Sequence, residues 1–178
     1  MTFNAPAIWI ALPILVGILL LLIRNARALS IIGGSIALAL ALIAQFVPIA
    51  TALRVGNLSL KIDSSLNVLG RVMTIESAEG SLLAMIYGGA ALWFFGSWAA
   101  VGAARIVPMG FMILGLLVAS IAVQPFLYAA LFIEMAILIS VPMLTSVYRS
   151  PSKGILRFLI YQTLAMPFIL LAGWLLAG

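Results

Sequence analysis

The chain has 178 residues, 66% hydrophobic and only 7% charged, with nine basic and four acidic side chains and a formal net charge of +5. That is the composition of an integral membrane protein rather than of a soluble domain. With no cysteine and no histidine, it excludes thiolate-held iron–sulfur clusters, Cys/His zinc, disulfides, bis-histidine haem, and Ser-His-Asp or Cys-His catalysis within this chain.

Read in chain order, the apolar runs predict an all-α integral membrane protein of about six transmembrane helices in a single transmembrane domain, 1–178. The first helix is expected over 7–23. Its start, "MTFNAPAIWI", lacks the basic n-region of a secretory signal peptide and is expected to persist as a mature helix. The second is expected over 29–53. Residues 54–80, "RVGNLSLKIDSSLNVLGRVMTIESAEG", alternate apolar and polar side chains, as at Leu58, Leu60 and Ile62 and again at Met73 and Ile75. This predicts an extramembrane loop of partly β character. The third helix, 81–104, opens after "ESAEGS", where acidic residues suit a helix N-terminus. Its Ala84, Gly88, Gly96, Ala100 and Ala104 fall on one ridge of fourfold spacing, interrupted by Leu92, a small-residue pattern that lets backbones approach in lipid.

The apolar run between Arg105 and Arg149 is too long for one crossing of a hydrocarbon core that takes about 20 residues. A break at Gln124-Pro125, where the residue before proline is pushed out of helical geometry, divides it into a fourth helix over 107–123 and a fifth over 125–144. The sixth follows "RSPSKG" and is expected over 155–177. Loops after the odd helices carry Arg24, Arg27, Arg105, Arg149, Lys153 and Arg157 without an acidic residue. On the other side Arg54, Lys61 and Arg71 are balanced by Asp63, Glu76 and Glu79. The positive-inside rule then makes the odd loops cytoplasmic and places both termini on the non-cytoplasmic side. Basic residues scattered in this way make no nucleic-acid patch, so the lipid bilayer is the expected partner and no nucleic acid is.

Glu134 stands near the middle of the fifth helix. At that depth a carboxylate is too far from either interface to snorkel, and ionised it costs at least about 2.5 kcal/mol on insertion scales. Intramembrane acids mark ion pathways by default; the competing reading is a protonated acid that ties helices through hydrogen bonds.

The segment "LFIEMAILISVPML" resembles the fifth-helix region of the antiporter-like subunits of respiratory complex I, which are similar to Mrp-type antiporter subunits and subunits of membrane-bound hydrogenases. "RSPSKGILRFLIYQTLAMPFILLAGWLL" is similar to that family's basic loop and the Tyr-Gln start of its sixth helix. Helix count, orientation and the loop before the third helix also agree. Ile133 stands where the family commonly has tryptophan. The family's proton path continues to a lysine on a seventh helix, whereas the only lysines here are Lys61 and Lys153, both in loops.

The resemblance implies the front part of such a subunit, in an energy-transducing membrane of the bacterial inner-membrane kind, with no cofactor or metal of its own. Its partners would be other membrane subunits, including one supplying the later helices and the relay lysine. Glu134 would be the proton-relay residue, and Lys153, Arg157, Tyr161 and Gln162 the auxiliary polar and basic groups. A carboxylic acid in apolar surroundings holds its proton more tightly and yields it when a cation approaches, which makes such a pair a relay. Any enzymatic role would be as part of an NADH:quinone oxidoreductase-like translocase. The alternative function is a non-pumping accessory or scaffold subunit.

Overall fold

The structure is a computed structural model and describes residues 2–47, 49, 52–55, 58–68, 70–99, 103–145 and 153–177. Long apolar helices dominate it, as an all-α membrane protein requires. The first, α1, comprises a π-helical turn Ala7–Ala11 and an α-helix Leu12–Leu20. It is followed by α2 (Ala26–Phe46), α3 (Gly80–Gly96, flanked by 3₁₀ turns Ser77–Glu79 and Ser97–Ala99), α4 (Ala103–Ala122), α5 (Ala129–Leu144, preceded by the 3₁₀ turn Phe126–Tyr128) and α6 (Lys153–Ala177). Among the described residues five helices are long and apolar enough to cross a membrane, with mean hydropathies of 1.4 to 2.1; α1, Ala7–Leu20, is shorter.

Local chemistry explains the helix ends. Asn25 caps α2, its side-chain oxygen accepting the amides of Arg27 at 3.1 Å and Ala28 at 3.4 Å. At the other end Val47 is extended, at φ −101° and ψ 106°. It precedes Pro48 in the sequence, and a residue before proline is disfavoured in helical geometry. The second helix therefore stops at Phe46, short of the expected 53, and Ala52–Val55 is a strand. A capping box starts the 3₁₀ turn ahead of α3, the Glu79 carboxylate accepting the Glu76 amide at 2.9 Å. The fourth helix begins at Ala103 rather than 107 and runs through Pro108.

The described part of 54–80 is largely β. Strands β1 (Thr2–Asn4), β2 (Ala52–Val55) and β3 (Leu58–Asp63) form one sheet in the order β1-β3-β2. Strands β4 (Ser65–Val68), β5 (Arg71–Thr74) and β6 (Val123–Gln124) form a second in the order β4-β5-β6. Val68 pairs with Arg71 across a two-residue hairpin loop, and Gly70 takes the positive φ of 76° that this turn needs. Met73 and Ile75 are buried while Val72 is exposed, as the alternation in the sequence requires. Two strands were not foreseen. β1 pairs in parallel with β3, and β6 pairs with β5 at the Gln124-Pro125 break, where the Gln124 side-chain amide also donates to the Thr74 hydroxyl at 2.7 Å.

Both sheets lie at one end of the bundle, because they hold the start of α1, the end of α2, the start of α3 and the α4–α5 turn. The end of α1, the start of α2, the end of α3, the start of α4, the end of α5 and the start of α6 lie toward the other end. There Arg105 donates to the Pro142 carbonyl at 3.5 Å, alongside the Thr145 hydroxyl at 3.1 Å.

The core sits among α1 to α4, with Trp9, Leu29, Tyr87, Phe94, Val107 and Phe111 fully buried. Close backbone approach falls on a different set of glycines from the expected ridge. A Cβ at Gly17 would lie 2.7 Å from the Pro108 carbonyl, and one at Gly115 2.9 Å from the Ile10 carbonyl, so α1 and α4 meet backbone to backbone. On the predicted ridge of α3, a Cβ at Gly88 would meet only Ala41 at 4.0 Å and one at Gly96 nothing within 4 Å. Ala100 lies outside the described residues. Helices α5 and α6 are peripheral: 44% of the apolar window of α4 is buried, against 17% for α5 and 0% for α6.

Candidate functional site

Glu134 lies on α5 about 15 Å from the Leu144 end and about 12 Å from the Phe126 end at 1.5 Å per residue. It is half-buried. On the helix surface it occupies a flank between buried Ala130, one turn earlier, and exposed Leu138, one turn later. No hydrogen bond or ion pair reaches its carboxylate from the described residues.

Helix α6 runs back along α5, for a Cβ at Gly173 would lie 3.1 Å from the Leu127 Cα at the far end of the hairpin. Measured from that contact, Gln162 lies roughly 16 Å back along α6 and Glu134 roughly 10 Å back along α5, so Gln162 is about one turn, and Arg157 about 13 Å, nearer the basic end than Glu134. Gln162 is half-buried; Lys153 and Arg157 are exposed, and Tyr161 is 73% exposed. The hairpin thus places Gln162 within about one turn of Glu134 in depth and leaves Lys153 and Arg157 toward the end of the bundle. None of these four α6 side chains bonds to Glu134.

The interior holds two polar ties that sequence reading missed. The first involves Trp9 and Tyr87, both 0% exposed. In an α-helix the Trp9 carbonyl would accept the amide of residue 13, but that residue is Pro13 and has no N–H. The helix answers with a π turn, in which the Leu12 amide reaches back to the Ala7 carbonyl. The Tyr87 hydroxyl of α3 donates to the Trp9 carbonyl, and Trp9 Nε1 donates to the Leu40 carbonyl of α2 at 3.5 Å. Three helices are joined through one residue. The signal was present as a proline four residues after Trp9 and a tyrosine within the apolar run "SLLAMIYGGAALWFFG".

The second tie closes the opposite end of α3. The buried Ser30 hydroxyl of α2 donates to the Phe94 carbonyl and also approaches the Phe95 carbonyl at 3.2 Å, while the Ser97 hydroxyl donates to the Phe94 carbonyl at 2.8 Å. These are last-turn carbonyls of α3, and the Phe94 carbonyl also accepts the Ser97 amide. Among the described residues, no buried side-chain nitrogen or oxygen lacks a hydrogen-bond partner.

Chemically, then, the four-helix core is closed and the α5–α6 hairpin carries the one acid at mid-depth. Searches against protein families, curated proteins and solved structures return no match for this chain.

Proposed function

We propose that the chain is a membrane subunit of a multi-subunit proton-translocating complex, similar to the front part of a complex I antiporter-like subunit, with Glu134 as its titrating relay residue. In this reading six helices cross an energy-transducing membrane, the strand-rich end faces away from the cytoplasm, and the end bearing Arg24, Arg27, Arg105, Lys153 and Arg157 faces it.

The observation that carries the reading is a half-buried carboxylate at mid-depth with no partner from its own chain among the described residues. An ionised carboxylate there costs at least about 2.5 kcal/mol unless water or a cation compensates. Arg157, the nearest described cation along α6, sits about 13 Å closer to the basic end of the bundle than Glu134. In this reading the compensating cation is supplied by a neighbouring membrane subunit. As that cation approaches, the acid releases its proton, and as it withdraws the acid regains one. Gln162, about one turn from Glu134 in depth, supplies an amide that can donate to the carboxylate or accept from the acid.

The test replaces Glu134 by Gln, which keeps the shape and hydrogen-bonding capacity of the protonated acid but cannot titrate. Complex abundance is expected to stay at the wild-type level while proton movement per turnover falls. Unchanged proton stoichiometry and rate would sink the relay. If Glu134→Ala then costs assembly while Gln does not, the scaffold reading stands.

A further inference from the structure

At the end of the bundle opposite the sheets, a groove of about 480 Å³ is lined by Arg27, Ser30, Ile31, Phe95 and Trp98 of α2 and the α3 end. Three of its five walls are large and apolar. Ser30 is engaged with the carbonyls of Phe94 and Phe95, so the hydroxyl has nothing to offer a ligand. Arg27 differs. It is exposed, with its guanidinium carbon 5.9 Å from the centre of the Trp98 ring, and no carboxylate or carbonyl of the described residues accepts from it. Nor can an acidic side chain of this chain be brought there: Asp63, Glu76 and Glu79 belong to the opposite end and Glu134 to the middle of α5.

We propose that this groove binds an anionic glycerophospholipid, its phosphate on Arg27 and the first part of an acyl chain along Ile31 and Phe95. The place in the fold fits that occupant. The groove lies between the first turns of α2 and the last turns of α3, where apolar helix meets water in the membrane-spanning reading, and an indole and a guanidinium are side chains that settle at this boundary. A free inorganic anion would find Arg27 but gain nothing from the apolar walls. A lipid uses both, and the uncompensated positive charge selects an anionic headgroup over a zwitterionic one. Arg24, exposed in the same connection, adds to the local field. The inference rests on the membrane-spanning reading and is independent of any relay at Glu134, because its readout is lipid retention rather than proton movement.

The test uses the full chain in mild detergent, exposed to phosphatidylglycerol or phosphatidylcholine, with bound lipid counted by native mass spectrometry. Phosphatidylglycerol is expected to be retained preferentially. Arg27→Gln should weaken that retention about fivefold, the effect of one interfacial cation, while Arg71→Gln at the opposite end should leave it unchanged. Ile31→Trp, at a 62% exposed position, keeps every charge but fills the groove, and should lower retention of both lipids. Millimolar inorganic phosphate should not compete. Equal retention of the two lipids, indifference to Arg27→Gln or to Ile31→Trp in protein that elutes and absorbs in circular dichroism as wild type does, or displacement by phosphate would each overturn the proposal.

Discussion

Tyr87→Phe tests the account of the core most directly, because it removes one oxygen atom and leaves the ring. The hydroxyl it deletes donates to the Trp9 carbonyl, at a place where neither residue is exposed. In soluble proteins a buried polar group left without a partner costs about 1–3 kcal/mol. Hydrogen bonds between membrane helices average only about 0.6 kcal/mol, and about 1.7 at most, since an unpaired group finds substitutes in the separated helices. Here substitution is restricted, because Pro13 withholds the usual amide from Trp9 whether or not the helices are packed. The expected cost is therefore near the upper end, about 1.5 kcal/mol or roughly tenfold in the folding equilibrium. The measurement is equilibrium unfolding of the full chain in mixed micelles, carried out for Tyr87→Phe, Pro13→Ala and the double variant. Pro13→Ala returns an amide to the Trp9 carbonyl, so Tyr87→Phe should cost clearly less in that background. Costs that agree within about 0.3 kcal/mol in the two backgrounds would refute the argument that the proline creates the vacancy the tyrosine fills.

Gly17→Leu should destabilise the fold by about 1–3 kcal/mol through overpacking, since any Cβ there meets the Pro108 carbonyl at 2.7 Å; Gly96→Ala, where a Cβ meets nothing within 4 Å, should be neutral or slightly stabilising in the same unfolding assay. Single cysteines at Ser65 and Gly154 in this cysteine-free chain should label from opposite sides of intact membranes, Gly154 from the cytoplasm, and labelling of both from one side would contradict the orientation given above. Asn25→Ala should cost about 1 kcal/mol by removing the cap of α2, and Asn25→Asp should retain most of it, both read from the same unfolding curves.

Much of the helical framework could be read from the sequence because uninterrupted apolar runs leave the backbone no partner but itself. The break at Gln124-Pro125 was legible as well, as proline disfavours helical geometry in the residue before it. Pro48 should have ended the second helix by that argument, yet hydropathy alone carries the run past it to Leu53. Pro108 shows the opposite: the expected fourth helix starts beside it, whereas α4 begins earlier, because a position near the start of a helix tolerates proline better than a central one. Strands β1 and β6 are short and gain their partners only through tertiary pairing, so no local pattern marks them. The small-residue ridge of α3 failed for a related reason. Spacing shows that a helix has a smooth face but not which neighbour uses it, and the close approach went to Gly17 and Gly115 of α1 and α4. Glu134 was visible as a carboxylate in an apolar run, whereas Tyr87 and Trp9 required knowing which helices touch.

Proline supplies a common thread between the closed core and the open hairpin. Each proline inside a helix withdraws the amide that the carbonyl four residues earlier would receive. In α1 that carbonyl belongs to Trp9, and a neighbouring helix provides the Tyr87 hydroxyl. In α5 and α6, Pro142 and Pro167 do the same to the carbonyls of Leu138 and Thr163, and no side chain of the described residues donates to either. Thr163 lies within about 5 Å of Glu134 in depth, and Leu138 is one turn away on the same helix face. The middle of the hairpin therefore combines an acid, two carbonyls deprived of their usual amides, the Gln162 amide and the exposed Tyr161 hydroxyl within a narrow range of depth. Backbone and side-chain groups of this kind persist in a membrane where water or another helix meets them. A glutamic acid that merely tied helices would need its partner within the bundle, as Tyr87 has. Glu134 lies instead near backbone groups without their usual amides, and in the proposed relay water would bring the proton to the acid and a cation of a second polypeptide would drive it off.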